Sequence, residues 1–185
     1  LALAERARRQ IEIVGGRLAF RAAAREVGCH ADDWALTAGE DRAPRSPPGW
    51  TVSLTHKDDL AVAVIGAESF GLLGIDLEGG SRDRSAIMSR VCRPEELLEV
   101  QALPEPERWP NVMVRFAVKE AVYKAVAPQL RRFIGFDAAR VDVLTKTEVR
   151  VTLFLGATDP VFAIETELLW LDQTHVVTLV RAKTS

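Results

Sequence analysis

The chain has 185 residues, 48% of them hydrophobic and 27% charged, with a formal net charge of −2. That length allows one good core or two small packed lobes, and that charge carries no global field directed at nucleic acid or a membrane. Two cysteines without CxxC spacing, Cys29 and Cys92, speak against a zinc cluster or a disulfide framework and fit a reducing cytoplasm. No apolar run reaches membrane-spanning length. The first residue is Leu, followed at once by an Arg-rich helix rather than a secretory signal, which fits a trimmed chain or a domain cut from a longer polypeptide.

Residues 3 to about 27 are predicted to form a helix. Leu3, Ala7, Ile11, Val14, Leu18, Ala22 and Ala23 recur at helical spacing as its apolar face, and Gly15-Gly16 predicts a break or kink. Arg17, Arg21 and Arg25 fall on one face, which is either solvated or an anion site. Residues 28–49 read as irregular, with a Pro-rich connection at 41–49 that would stiffen the backbone around Arg42 and Arg45. Residues 50–56 alternate as a half-buried strand, and 60–66 form a nearly continuous apolar strand, its hairpin partner. Residues 72–78 predict a third strand, with Ile75 and Leu77 on one side and Asp76 and Glu78 on the other. Residues 82 to about 127 read as helical, restarted at Arg93-Pro94-Glu95-Glu96 and broken at Leu103-Pro104-Glu105-Pro106. Four strands are predicted at 141–144, 149–155, 162–171 and 175–180. The order is helix, three strands, helices, four strands: two loosely similar halves, each with a helix and a β-meander, without a clear sequence repeat.

The chemistry concentrates in two places. In the helical stretch 115–125, Glu120 and Lys124 lie four residues apart and so share a face one turn apart. Alone, such a pair is equally an ordinary surface salt bridge. On the third strand Asp76 and Glu78 are two apart and project from one face. Hard divalent cations take oxygen ligands, so Asp76, Glu78 and Glu120 would form a metal site if that strand and helix pack together.

Gly74-Ile75-Asp76-Leu77-Glu78 resembles the glycine–aliphatic–Asp–x–Glu motif of the 4'-phosphopantetheinyl transferase superfamily. Phe116-Ala117-Val118-Lys119-Glu120-Ala121-Val122-Tyr123-Lys124 resembles that family's second motif, and Ser53-Leu54-Thr55-His56 the strand that precedes both. The gaps between these motifs are those of the family's larger, single-chain branch. Segment 16–21, the Pro44 loop and Phe133-Ile134-Gly135-Phe136 resemble its flanking elements. Ala117 departs from the hydroxyl or thiol common at that position, and Arg42-Ala43-Pro44 from a Gly-Lys-Pro-like triplet.

The resemblance implies an α+β fold of two similar lobes with pseudo-twofold symmetry, each a small antiparallel sheet packed on a long helix. The expected lobes are 1–80 and 81–185, with coenzyme A (CoA) bound between them. It implies Mg²⁺-dependent (or Mn²⁺-dependent) transfer of 4'-phosphopantetheine from CoA to a serine of an apo acyl or peptidyl carrier protein, the holo-acyl-carrier-protein synthase reaction. Adenosine 3',5'-bisphosphate is the other product. The alternatives are a degenerate module that binds CoA or carrier protein without transfer, and a metal-dependent nucleotide hydrolase. By position, Asp76, Glu78 and Glu120 are the expected metal ligands, and Asp76, Glu120 and Lys124 the catalytic residues. Glu120 is the candidate base and Lys124 the group facing the leaving phosphate. Arg17, Arg42, Arg45, Thr55, His56, Lys119 and Lys124 are the candidates for CoA. Arg82, Arg84, Met88 and Arg90 are the candidate carrier-docking residues. A cytoplasmic monomer, without nucleic-acid or membrane partners, is expected. Siderophore, nonribosomal peptide, polyketide and fatty-acid carriers all remain open as substrates.

Overall fold

A computed structural model describes residues 2–30, 45–79 and 85–184. The first helix, α1 (Ala2–Glu26), lies on a hairpin of β1 (Trp50–Lys57) and β2 (Leu60–Ala67). Then come β3 (Leu72–Gly79), α2 (Met88–Val91), α3 (Pro94–Ala102) and the long α4 (Glu105–Leu130). β4 (Ala139–Val143) pairs antiparallel with β5 (Val149–Leu153), and β6 (Phe162–Trp170) with β7 (His175–Thr184). Among the described residues, no helix is long and apolar enough to cross a membrane.

α1 is continuous through Gly15-Gly16, and its buried face is not the one its hydrophobic spacing predicts. Ile11, Val14 and Leu18 are 72%, 52% and 61% exposed, whereas Phe20 and Ala24 are buried. Gly16, Phe20 and Ala24, four apart, form the seam against Val52 and Ile65. The glycines serve close approach: a Cβ at Gly15 would lie 3.3 Å from that of Ala61 on β2.

The predicted meander of the first three strands is also corrected. β3 makes its backbone ladder with β7, in a sheet of order β3-β7-β6. A division at residue 80 would therefore separate β3 from its hydrogen-bonded partner. β1 instead reaches β3 through side chains. The hydroxyls of Thr51, Ser53 and Thr55 accept from the backbone N–H groups of Leu73, Ile75 and Leu77 at 3.3, 3.0 and 3.2 Å. Both series advance by two residues, so β1 runs alongside β3 in the same direction.

α4 packs across the β3-β7-β6 sheet. Val118, Ala121, Val122, Ala125 and Val126 form one buried cluster with Val180 and Ala182. The closest approach is at Gly74, where a Cβ would stand 1.9 Å from the carbonyl oxygen of Ala121 and 2.8 Å from the amide nitrogen of Ala125. No rotamer change relieves an overlap with backbone. Gly74→Ala is expected to cost about 3 kcal/mol, a melting temperature lower by roughly 6–12 °C in a thermal melt. Gly16→Ala, whose Cβ would meet only Leu54 Cδ1 at 3.9 Å, should instead gain about 0.5–1 kcal/mol from helix propensity. Equal melting temperatures for the two variants would contradict this packing.

Candidate active site

The even-numbered residues of β3 face α4, and this places Asp76 beneath Lys124. Lys124 Nζ donates to Asp76 Oδ1 at 2.6 Å and to the backbone carbonyl of Ile75 at 3.0 Å. Thr55 donates to the same Oδ1 at 3.1 Å. Asp76 is 6% exposed, and its Oδ2 is buried with no hydrogen-bond partner among the described residues. Two residues further along, Glu78 accepts from Lys57 Nζ at 2.6 Å.

Glu120 lies close enough to share this field. Its carboxyl is pushed above the usual range, first by burial and then by the Asp76 carboxylate, with a smaller push from Glu78; Lys124 opposes the rise. The three predicted metal ligands therefore sense one another. Among the described residues they do not close into a set able to grip one cation as they stand. Lys124 and Lys57 hold Asp76 and Glu78 in their present positions. The donor set still suits a hard divalent cation: carboxylate oxygens only, one of them buried and unused.

On its other side Glu120 borders a cleft of about 810 Å³. Phe116, Tyr123, Phe133, Ile134 and Phe136 give it apolar walls, and Arg90 and Arg93 also line it. The Tyr123 and Phe133 rings meet at 5.6 Å between centroids.

The predicted CoA residues separate into groups. Thr55 turns its hydroxyl to Asp76 and to the Leu77 amide, as a support for the carboxylate. His56 is half-exposed and lies 3.9 Å from Glu12 of α1. Arg17 and Arg45 are exposed, and Arg42 lies outside the described residues. Lys119 borders the cleft, but its side chain is 1% exposed and its ammonium is bound to Glu96 Oε2 at 2.5 Å and to the Val91 carbonyl at 2.9 Å. Burial pushes its pKa down, opposed by Glu96. Of the docking candidates, Arg90 is exposed and Met88 half-buried; Arg82 and Arg84 lie outside the described residues.

Two partners escaped the sequence reading, Lys57 for Glu78 and Glu96 for Lys119. Neither is near its partner in sequence. The acidic start of α3 was visible, but nothing in it aims Glu96 inward.

The family description "4'-phosphopantetheinyl transferase superfamily" matches residues 72–180, and "4'-phosphopantetheinyl transferase N-terminal domain" matches residues 2–66. The chain belongs to the 4'-phosphopantetheinyl transferase superfamily, in its larger branch. It is 31% identical over 183 residues to enterobactin synthase component D of Salmonella typhimurium, covering 96% of this chain and 74% of that protein. It is 32% identical over 143 residues to the 4'-phosphopantetheinyl transferase Npt of Nocardia iowensis, covering 72% of this chain and 59% of that one. A solved holo-(acyl-carrier-protein) synthase of Bacillus anthracis aligns at TM-score 0.49 and 19% identity, over 62% of this chain and 96% of that one.

The raised carboxyl of Glu120 has a consequence for stability. A carboxyl whose folded pKa is raised stabilises the fold fully below its unfolded value, and this stabilisation is lost as pH rises through the folded value. In EDTA, Glu120→Gln should therefore melt higher than wild type at pH 7–8. The difference should vanish toward about pH 4, near the ordinary glutamate value. A variant melting below wild type at neutral pH would contradict a desolvated Glu120.

Proposed function

We propose that the chain transfers 4'-phosphopantetheine from CoA to a serine of an apo carrier protein, giving holo carrier protein and adenosine 3',5'-bisphosphate. The observation that carries this reading is the pair Asp76–Lys124, clamped between β3 and α4. Glu120 stands in the same field, at the edge of an apolar cleft. Membership of the family supplies the reaction class. The holo-acyl-carrier-protein synthase reaction, a monomeric state, pseudo-twofold lobes and a cytoplasmic location all belong to this proposal.

Asp76, Glu78 and Glu120 are the residues that would hold Mg²⁺ or Mn²⁺. Such an ion, when bound, neutralises charge on the pyrophosphate of CoA. The chain's own side chains supply the rest. The serine hydroxyl oxygen forms a bond to the β-phosphorus while the bond from that phosphorus to the bridging oxygen breaks. The electron pair leaves with the α-phosphate of adenosine 3',5'-bisphosphate. Glu120 is the base proposed to take the hydroxyl proton, since burial and neighbouring carboxylates raise its affinity for protons. Lys124 is partly exposed and paired with Asp76; it is proposed to meet the leaving phosphate. The cleft suits the pantetheine arm, which is uncharged and presents methyl and methylene segments between its two amides. Arg17, Arg42, Arg45 and His56 remain the proposed partners of the CoA phosphates.

Mass spectrometry of an apo carrier protein incubated with CoA and Mg²⁺ tests this reading. Wild type should add one phosphopantetheine per carrier and release adenosine 3',5'-bisphosphate. EDTA should stop the reaction, and Mg²⁺ or Mn²⁺ should restore it. Glu120→Gln should lower turnover by about 10²-fold or more while the fold is kept. Retained turnover in that variant would overturn the metal-and-base assignment. Free phosphopantetheine formed without carrier would point to a hydrolase instead.

The cleft has its own test. Phe133 is 77% exposed, so Phe133→Ala should not disturb the core. Its KM for CoA should rise about tenfold with kcat nearly kept, the mark of lost uniform binding. An unchanged KM would remove the pantetheine arm from this wall.

A further inference from the structure

Asp76 stands directly opposite Thr178 in the ladder between β3 and β7. Residues opposed in this way share a face of the sheet, with Cβ atoms about 4.5–5.5 Å apart. That face is the one covered by α4, because the next pair on it, Gly74 and Val180, lies against Ala121 and its neighbours. Thr178 is completely buried, and its Oγ1 has no hydrogen-bond partner among the described residues. Asp76 Oδ2 is in the same condition. Two orphaned polar atoms thus sit on facing residues inside one interface, a donor on one strand and an acceptor on the other.

Among the buried residues of β7, Thr178 is also the one with a polar side chain. Val176, Val180 and Ala182 occupy the same face of β7 and are all buried. Valine has the shape of threonine and would fill the position without a buried hydroxyl left over. The other oxygen of Asp76 is already engaged by Lys124 and Thr55. A donor on the Oδ2 side is what the carboxylate still needs to have its plane fixed from both ends.

We infer that Thr178 is a positioning residue for Asp76: its hydroxyl serves Oδ2, directly after a side-chain rotation or through one buried water. It thereby fixes the direction in which the remaining lone pairs are offered to a cation shared with Glu78 and Glu120. This rests on the proposed reading of Asp76 as a metal ligand. Hydrogen-bonding partners of metal ligands commonly set affinity by 10–100-fold on the order of magnitude.

The test measures Mn²⁺ binding to the full chain in the presence of CoA, by electron paramagnetic resonance, for wild type, Thr178→Val, Thr178→Ser and Asp76→Asn. Thr178→Val should weaken Mn²⁺ binding about tenfold, while the melting temperature of the metal-free protein holds or rises. Thr178→Ser should restore binding to within about twofold of wild type. Mn²⁺ affinity unchanged in Thr178→Val, with Asp76→Asn weakened, overturns this inference and leaves the metal site standing. An affinity loss that serine does not rescue and that accompanies a lower melting temperature also overturns it, because packing alone would explain it. No binding to wild type, or equal binding to wild type and Asp76→Asn, overturns the metal reading and this inference with it.

Discussion

The site depends on how closely α4 can lie on β3. Gly74 removes the one Cβ that would hold helix and strand apart, and Ala121 and Ala125 present small residues at the crossing. With that gap closed, Asp76 is buried under the helix and Lys124 reaches both its carboxylate and the neighbouring carbonyl. Pairing in such a place adds little net stability, because the desolvation of two charges offsets their attraction. What the pairing does secure is geometry: either partner alone would be a charge stranded in an interface. The same approach brings Glu120 into the field of Asp76 and Glu78 and holds it there without an ammonium of its own among the described hydrogen bonds.

Neighbouring positions on α4 are sorted by the 100° between successive residues. Glu120 faces the carboxylates, whereas Lys119 turns to α3. Glu96 receives three donors: Lys119 and the Arg93 amide on Oε2, and the Val141 amide on Oε1. One fully buried carboxylate thus ties together the start of α3, the middle of α4 and β4. Engaging both oxygens in this way is the condition under which a buried charge is tolerable. β1 provides the matching restraint from the other side. Its hydroxyls at Thr51, Ser53 and Thr55 dock on β3 while Val52 packs with Phe20 of α1. The position of α1 relative to Asp76 is therefore set through the hairpin of β1 and β2, and Thr55 belongs to both the docking series and the carboxylate.

Much of the site was legible because it is local. Glu120 and Lys124 share a face of α4, and Asp76 and Glu78 share a face of β3, as periods of 3.6 and 2 require. The contact between those faces came from the family resemblance and from Gly74, whose absent side chain has no hydrophobic signal. Hydrophobic spacing misplaced the buried face of α1 for a related reason. Ile11, Val14 and Leu18 outweigh Gly16 and Ala24 on any apolar scale, yet close approach to the hairpin favours the small residues. The partner of β3 was equally hidden. Its alternating pattern fits a neighbouring hairpin as well as it fits β7, about a hundred residues on, and alternation specifies a face rather than a partner. Lys57 and Glu96 were missed because each meets its partner only across that long-range packing.

The paired lysines explain how three carboxylates can be kept near one another before any substrate arrives. Lys57 and Lys124 each neutralise one carboxylate, and burial favours the protonated form of the third. Like charges gathered without such compensation would repel, and the cost would appear as loss of the closed packing around Gly74. On the proposed reading, Asp76, Glu78 and Glu120 would hold a divalent cation, which would supply positive charge against the pyrophosphate of CoA. Lys57 and Lys124, paired to Glu78 and Asp76 in the present arrangement, are the cations proposed to turn to phosphate oxygens. The side chain of Lys124 is 28% exposed, against 1% for Lys119, so it is the lysine of this helix stretch with room to change partners. A lysine suits that exchange better than an arginine would: its ammonium is a single compact charge on a flexible stem, not a planar fork locked to one carboxylate.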